Sequence, residues 1–211
     1  LVLAFAGFVR EASAARVTGS VRMPAPGAAP PSDDPSGYWR AWNGFLELRP
    51  PALDPRSEVL VVLRGGDLPE PRGCAYRLQQ GDFAPKAMAV RPGATLRIEN
   101  RDGCSHELTS ASIPEFPPLA TAPGNARAIA GVPGGGPHAI TDRLYGHVGG
   151  WVHVMDDLAA CATMAADGRY VFEDVPAGRY RLVVLRGETE VRSADVEVRS
   201  NGLTVDPIAI P

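Results

Sequence analysis

The stretch "GDFAPKAMAVRPGATLRIENRDGCSHEL", Gly81–Leu108, decides how this chain is read. Its apolar runs are short and are cut by turn formers. Ala87–Val90 lies between Pro85 and the Pro92-Gly93 turn. Beyond it, Leu96 and Ile98 alternate with Arg97 and Glu99, the period of a strand with one buried face. Asp102-Gly103 is a hairpin signal, and Leu108 continues into the next strand. Short strands punctuated in this way predict an all-β protein.

The rest of the chain carries the same signature. Its 211 residues include 23 Gly and 21 Pro, set between Val-rich runs, and suit one large domain or two small ones. "RVTGSVRM" (16–23) reads as a strand, and "EVLVVLRG" (58–65) as a nearly continuous apolar one. A Pro-rich segment covers 24–37. The cluster Tyr38, Trp39, Trp42 and Phe45 follows and is read as a plug over an open sandwich end. Ile113–Pro137 is expected to be a long irregular loop, because it holds six Pro and five Gly. From Met164 onward, turn signals at Asp167-Gly168 and Pro176-Ala177-Gly178 separate four or five short strands, the pattern of a small sandwich.

Composition removes several function classes. The formal net charge is −3, and with no basic stripe the chain offers nucleic acid no footprint. The apolar run Leu1–Val9 is too short to span a bilayer, so no transmembrane segment is expected. With the small residues Ala12-Ser13-Ala14 behind it, residues 1–15 read as the remnant of a signal peptide, which predicts a periplasmic or secreted protein. Catalysis is not expected. No G-x-S-x-G is present, "GVPGGGPH" (131–138) lacks the Lys-Ser/Thr of a phosphate loop, and the adjacent pairs Asp33-Asp34 and Asp156-Asp157 would point to opposite strand faces.

Two segments resemble known families. "ADGRYVFEDVPAGRYRLVV" (166–184) resembles the carboxypeptidase regulatory-like, or transthyretin-like, β-sandwich, with D-G-x-Y-x-F-x-x-V-P-x-G-x-Y-x-L-x-V in register. "VTGSVRM" (17–23) resembles the first strand of the same family. The resemblance implies that the N-terminal strand pairs with the C-terminal sandwich, the middle domain being inserted between them. It implies a non-catalytic module. Residues 74–156 resemble a cupredoxin of plastocyanin-like type, with Phe83, Pro85, Val90, Gly93, Leu96, Asn100, Asp102, His106 and Leu108 in register. The expected fold is a cupredoxin-like Greek-key sandwich plus a small transthyretin/Ig-like β-sandwich. The expected divisions are 1–15 leader, 16–57 N-terminal strand and aromatic segment, 58–160 cupredoxin-like domain and 161–211 regulatory-like domain. This domain order resembles exported bacterial proteins, so the expected partners are another protein, the cell envelope or a metal ion.

The cupredoxin resemblance raises a copper question. A type 1 site needs two imidazoles, a thiolate and a weak thioether. The family's first ligand position falls on His106 and its second His on His147. Leu144 stands at the Cys position and Gly150 at the Met position, which implies a degenerate site. Copper or another metal is then expected on His106 and His147. Cys104, two residues before His106 and so on the same strand face, is a third candidate ligand. The alternative is a metal-free binding or structural module of the envelope, with both His kept for packing. His138 is placed far along the strand from His147. His153 is read as a residue meeting the second domain. Of the three Cys, the resemblance places Cys74 and Cys161 together at the end opposite the His loops and implies a disulfide between them, one that would contribute ~3–5 kcal/mol.

Overall fold

The computed structural model describes residues 14–23, 54–66, 68–114 and 116–211. The cluster Tyr38–Phe45 and residues 1–13 of the expected leader lie outside the described residues. In chain order the elements are β1 (Ala14–Arg22), a single helical turn α1 (Pro55–Glu58), β2 (Val59–Arg64), β3 (Tyr76–Gln79), β4 (Asp82–Ala84), β5 (Ala87–Val90) and β6 (Leu96–Asn100). Then come β7 (His106–Thr109), β8 (Leu119–Thr121), β9 (Ala126–Ile129), β10 (His138–Asp142), β11 (Gly149–Val154) and β12 (Leu158–Thr163). The chain ends with β13 (Arg169–Pro176), β14 (Gly178–Arg186), β15 (Thr189–Val198), β16 (Leu203–Thr204) and β17 (Ile208–Ala209). The protein is all-β and built of packed sheets.

Four sheets form. Two of them, β4-β3-β6-β9 and β5-β11-β10-β7-β8, face each other as the first sandwich. The third runs β12-β2-β14-β15 and the fourth β13-β1-β16, with β17 also on β1. β2 is the hinge of this arrangement. Five of its six residues are buried, and period-2 alternation divides them between two cores. Leu60 and Val62 join the core that contains Phe83, Leu96 and Ile140. Val59, Val61 and Leu63 join the core that contains Tyr170, Phe172 and Leu182. An apolar strand without alternation is the mark of a strand covered on both faces.

This sharing changes the expected divisions. β2, taken with the 58–160 segment, pairs along its length with β14 of the 161–211 segment. Its other neighbour, β12, runs across residue 160 itself. The two sandwiches therefore have one sheet in common. β1 pairs antiparallel with β13, Val17 opposite Phe172 and Gly19 opposite Tyr170. A Cβ on Gly19 would sit 2.3 Å from the Tyr170 hydroxyl, so the ring needs the glycine beneath it. Ala14 and Ala15, placed with the leader by sequence, open β1, and Ala15 is buried.

Two further expectations are corrected. The 113–137 segment is not irregular throughout. β8 pairs with β7, and β9 pairs with β6, because its short apolar runs find open sheet edges between the prolines. Asp102-Gly103 does not close a hairpin, since β6 and β7 lie in different sheets and the turn carries the chain from one to the other. Cys74 and Cys161 are joined, with Cα atoms 4.9 Å apart. The bond ties β12 of the shared sheet to the segment entering β3. The Tyr76 hydroxyl lies 3.3 Å from the Cys161 sulfur and donates to the Ala89 carbonyl at 2.6 Å.

Because β2 serves both cores, Leu60→Ala and Leu63→Ala are each expected to lower global stability by about 2–5 kcal/mol. Both variants should unfold in one transition, with tryptophan fluorescence and far-UV circular dichroism coincident. Two separated transitions in either variant would show that the sandwiches unfold independently.

Candidate functional site

The site forms where the Asp102–Ser105 loop, β7 and the β10–β11 turn meet. β7 turns His106 and Leu108 inward, and β10 turns His138, Ile140 and Asp142 inward. Asp142 is opposite Leu108, one strand from His106. Its carboxylate reaches His106 Nδ1 at 2.5 Å. Its second oxygen accepts the N–H groups of Leu144 at 2.8 Å and Glu107 at 3.3 Å. Burial is the largest influence on this carboxyl and pushes it up. The Leu144 amide, the His106 ring and the Glu107 amide outweigh burial and hold Asp142 below the ordinary aspartate range.

The other ring nitrogen of His106 is engaged too. Nε2 lies 3.1 Å from Asp102 Oδ2 and 3.7 Å from Cys104 Sγ. Both ring nitrogens thus lie within hydrogen-bond distance of a carboxylate. Asp102 is itself fixed, accepting the Gly81 N–H at 3.2 Å on each oxygen. Asn100 holds the loop in place. Its side-chain amide donates to the Cys104 and Thr121 carbonyls, and its oxygen accepts the Asp102 N–H. His106 is 1% exposed, and Asn100 and Asp142 are buried with it.

His147 is not brought against His106. It is exposed, and the half-buried Tyr145 stands between the two, with ring centroids 5.4 Å from His106 and 6.3 Å from His147. The Cys104 sulfur, and after it burial and the Asp142 charge, push the Tyr145 hydroxyl up. Cys104 is half-buried and is the free cysteine among the described residues.

These residues do not fit a type 1 copper centre. Both nitrogens of His106 are hydrogen-bonded to carboxylates, and Leu144 at the thiolate position is 53% exposed. At the thioether position, a Cβ on Gly150 would already lie 3.0–3.1 Å from the Lys86 carbonyl, Met88 and Phe83, so a side chain there would have to displace its neighbours. Among the described residues no group of three or more His, Cys, Asp or Glu side chains is disposed to hold a metal ion.

The remaining histidines tie segments together. His138 contacts Ser112 Oγ at 3.0 Å and the Pro133 carbonyl at 3.2 Å, holding both ends of the Pro-rich segment to β10. His153 Nε2 donates to the Gly187 carbonyl at 2.9 Å, which fastens β11 to the turn after β14. Burial holds the His153 ring below the ordinary histidine range, against the opposing effects of the Gly187 carbonyl and Glu190. Sequence reasoning missed Asp142, Asp102 in its bonding role, and Tyr145. The available signal was an acid at an inward position of the strand beside a buried His, and that pairing of strands is not written in sequence.

No family model and no curated protein sequence matches the chain. Among solved structures, amicyanin from Paracoccus versutus (Thiobacillus versutus) is similar at 14% identity and a TM-score of 0.35, over 42% of this chain and 86% of that one. A reduced amicyanin variant is similar at 13% identity and 0.34, over 39% and 84%. A Cu-containing nitrite reductase from Thermus scotoductus SA-01 is similar at 17% identity and 0.33, over 43% and 24%. These likenesses cover less than half of the chain and leave its chemistry to its own residues. No helix among the described residues is long and apolar enough to cross a membrane.

Asp142→Asn leaves the His106 ring short of a buried anion and is expected to cost roughly 3–5 kcal/mol at neutral pH. The folded carboxyl is held low, so its stabilisation is complete above the ordinary aspartate value of about 3.9 and is lost as pH falls through the lower folded value. Urea unfolding should therefore show the gap between wild type and variant closing below about pH 4. His153 acts in a separate window. Its ring is held low, so its contribution is complete above about pH 6.5 and declines as pH falls from there toward the folded value. His153→Gln should abolish that slope, and an unchanged slope would place it on another group.

Proposed function

We propose that this chain is an exported, non-catalytic β-sandwich module of the cell envelope, in which a degenerate copper-site corner is held together by buried ion pairs in place of a metal. One observation carries the reading. The carboxylate of Asp142 occupies Nδ1 of His106 while Asp102 occupies Nε2. The imidazole at the first ligand position thus has both nitrogens engaged inside the fold. The non-catalytic reading has support from the same atoms, because Nε2, which would have to take a proton from the Cys104 thiol, lies closer to Asp102 Oδ2 at 3.1 Å than to Cys104 Sγ at 3.7 Å. Export is supported by the Cys74–Cys161 bond, which suits an oxidising compartment.

The experiment is a titration of the purified protein with Cu(I), Cu(II) and Zn(II), beside His106→Ala and His147→Ala. The expected result is no stoichiometric binding that depends on either His. His106→Ala should instead lower thermal stability while His147→Ala leaves it unchanged, since His147 is exposed.

A second reading rests on a different feature of the same corner. Ligating histidines commonly give their other ring N–H to a carboxylate, as His106 gives Nδ1 to Asp142. A cation replacing the Nε2 proton would meet Asp102 Oδ2 and Cys104 Sγ, with His147 and copper or zinc as the further members of the set. Stoichiometric binding that weakens tenfold or more in Cys104→Ser and in His106→Ala would establish this reading and displace the first.

A further inference from the structure

β13 is the outer strand of its sheet, with β1 on one side and, among the described residues, no strand on the other. Its register shows which backbone groups are left open. Val21 N–H donates to the Gly168 carbonyl at 2.8 Å, and bonded residues alternate along an antiparallel pair. Tyr170 and Phe172 therefore bond β1, while Arg169, Val171 and Glu173 aim their N–H and C=O groups at the free edge. Both ends of this edge are closed. The Arg169 carbonyl accepts the Ala165 N–H at 2.8 Å. The Asp174 carbonyl accepts from Arg72 at 2.6 Å, and a φ of 56° at Asp174 turns the strand away.

The Arg169 N–H donates to Asp167 Oδ1 at 3.1 Å, so the open backbone groups are those of Val171 and Glu173, and Val171 is the centre of the outward face Arg169–Glu173. At 36% exposure, Val171 is one of three exposed large apolar residues in the described chain. Its side chain shares the solvent face with Arg169 and Glu173. A groove of about 560 Å³, lined by Arg72, Ala162, Met164, Val171 and Glu173 among others, runs along this edge and keeps it approachable.

We infer that this edge is a docking surface for a second copy of the same chain, paired antiparallel about a two-fold axis through Val171. Charge complementarity commits the surface to a copy of itself. "RYVFE" (169–173), read on its outward face, is a cation, an apolar residue and an anion, and it is its own complement when reversed. In the pair, Val171 lies against the copy's Val171 with two N–H···O=C bonds. Each Arg169 faces the other chain's Glu173. Such cross-strand pairs stabilise a sheet, and an isologous contact closes on itself as a dimer. In the single chain, Arg169 is paired with Asp167 at 2.6 Å and Glu173 with Arg16 at 3.0 Å. All four side chains are at least half exposed, so re-pairing costs little. This inference does not depend on the reading of the His106 corner.

Sedimentation equilibrium of the full chain at low salt tests it. Wild type should dimerise with concentration, and the Val171 and Glu173 amides should gain exchange protection as it does. Val171→Arg and Arg169→Glu should each weaken the dimer by about tenfold or more. The double reversal Arg169→Glu with Glu173→Arg should restore it to within about threefold. Circular dichroism confirms that each variant folds; if Val171→Arg does not, the charge reversal decides. A wild type that stays monomeric up to its solubility limit overturns the inference. So does a dimer that is indifferent to the single reversal Arg169→Glu, or that the double reversal fails to restore.

Discussion

The two faces of β2 are the constraint on which the rest of the structure depends. A six-residue strand, Val59–Arg64, sits in the middle of a sheet that closes two cores at once. Neither core can be completed without it. The middle sheets need Leu60 and Val62, and the C-terminal sandwich needs Val59, Val61 and Leu63. The chain therefore cannot be divided at residue 160 into parts that each own a core. The Cys74–Cys161 bond reinforces the same junction from its edge, closing a separation of 87 residues.

The His106 corner is held by its own polar network. There the fold has placed two carboxylates on one imidazole in an almost dry setting. Desolvating these charges is costly, and the mutual attraction offsets it only if the remaining lone pairs are also satisfied. They are, by the amides of Leu144, Glu107 and Gly81. Asn100 adds three further bonds that set the loop carrying Asp102 and Cys104. Such a network fixes one arrangement of the β6–β7 connection and the β10–β11 turn more than it adds to net stability.

Much of the architecture was legible from residue patterns. Alternation in Leu96–Glu99 and in Tyr170–Phe172 put the correct residues inward, because a strand with one buried face writes its period into the sequence. The doubly buried β2 was equally visible as an unbroken apolar run, but its two partners were not. The 113–137 segment was misread because Pro and Gly dominate its composition, while three or four residues between them suffice to pair with an open edge. Asp102-Gly103 was misread because a turn dipeptide specifies a change of direction and not the sheet to which the chain returns.

By itself, then, the sequence determined the all-β class, the turns, most inward positions, and the absence of a thiolate and a thioether at Leu144 and Gly150. These are local properties, set by side-chain chemistry and by the two-residue period of strands. Only the tertiary structure decided that one sheet serves both cores, that Asp142 lies against His106, that Tyr145 separates His106 from His147, and that β13 is an outer strand among the described residues. Each of these depends on which strands become neighbours. That choice is made by the summed burial of whole faces, and contacts such as His106 with Asp142, 36 residues apart, leave no spacing in the chain from which to read them.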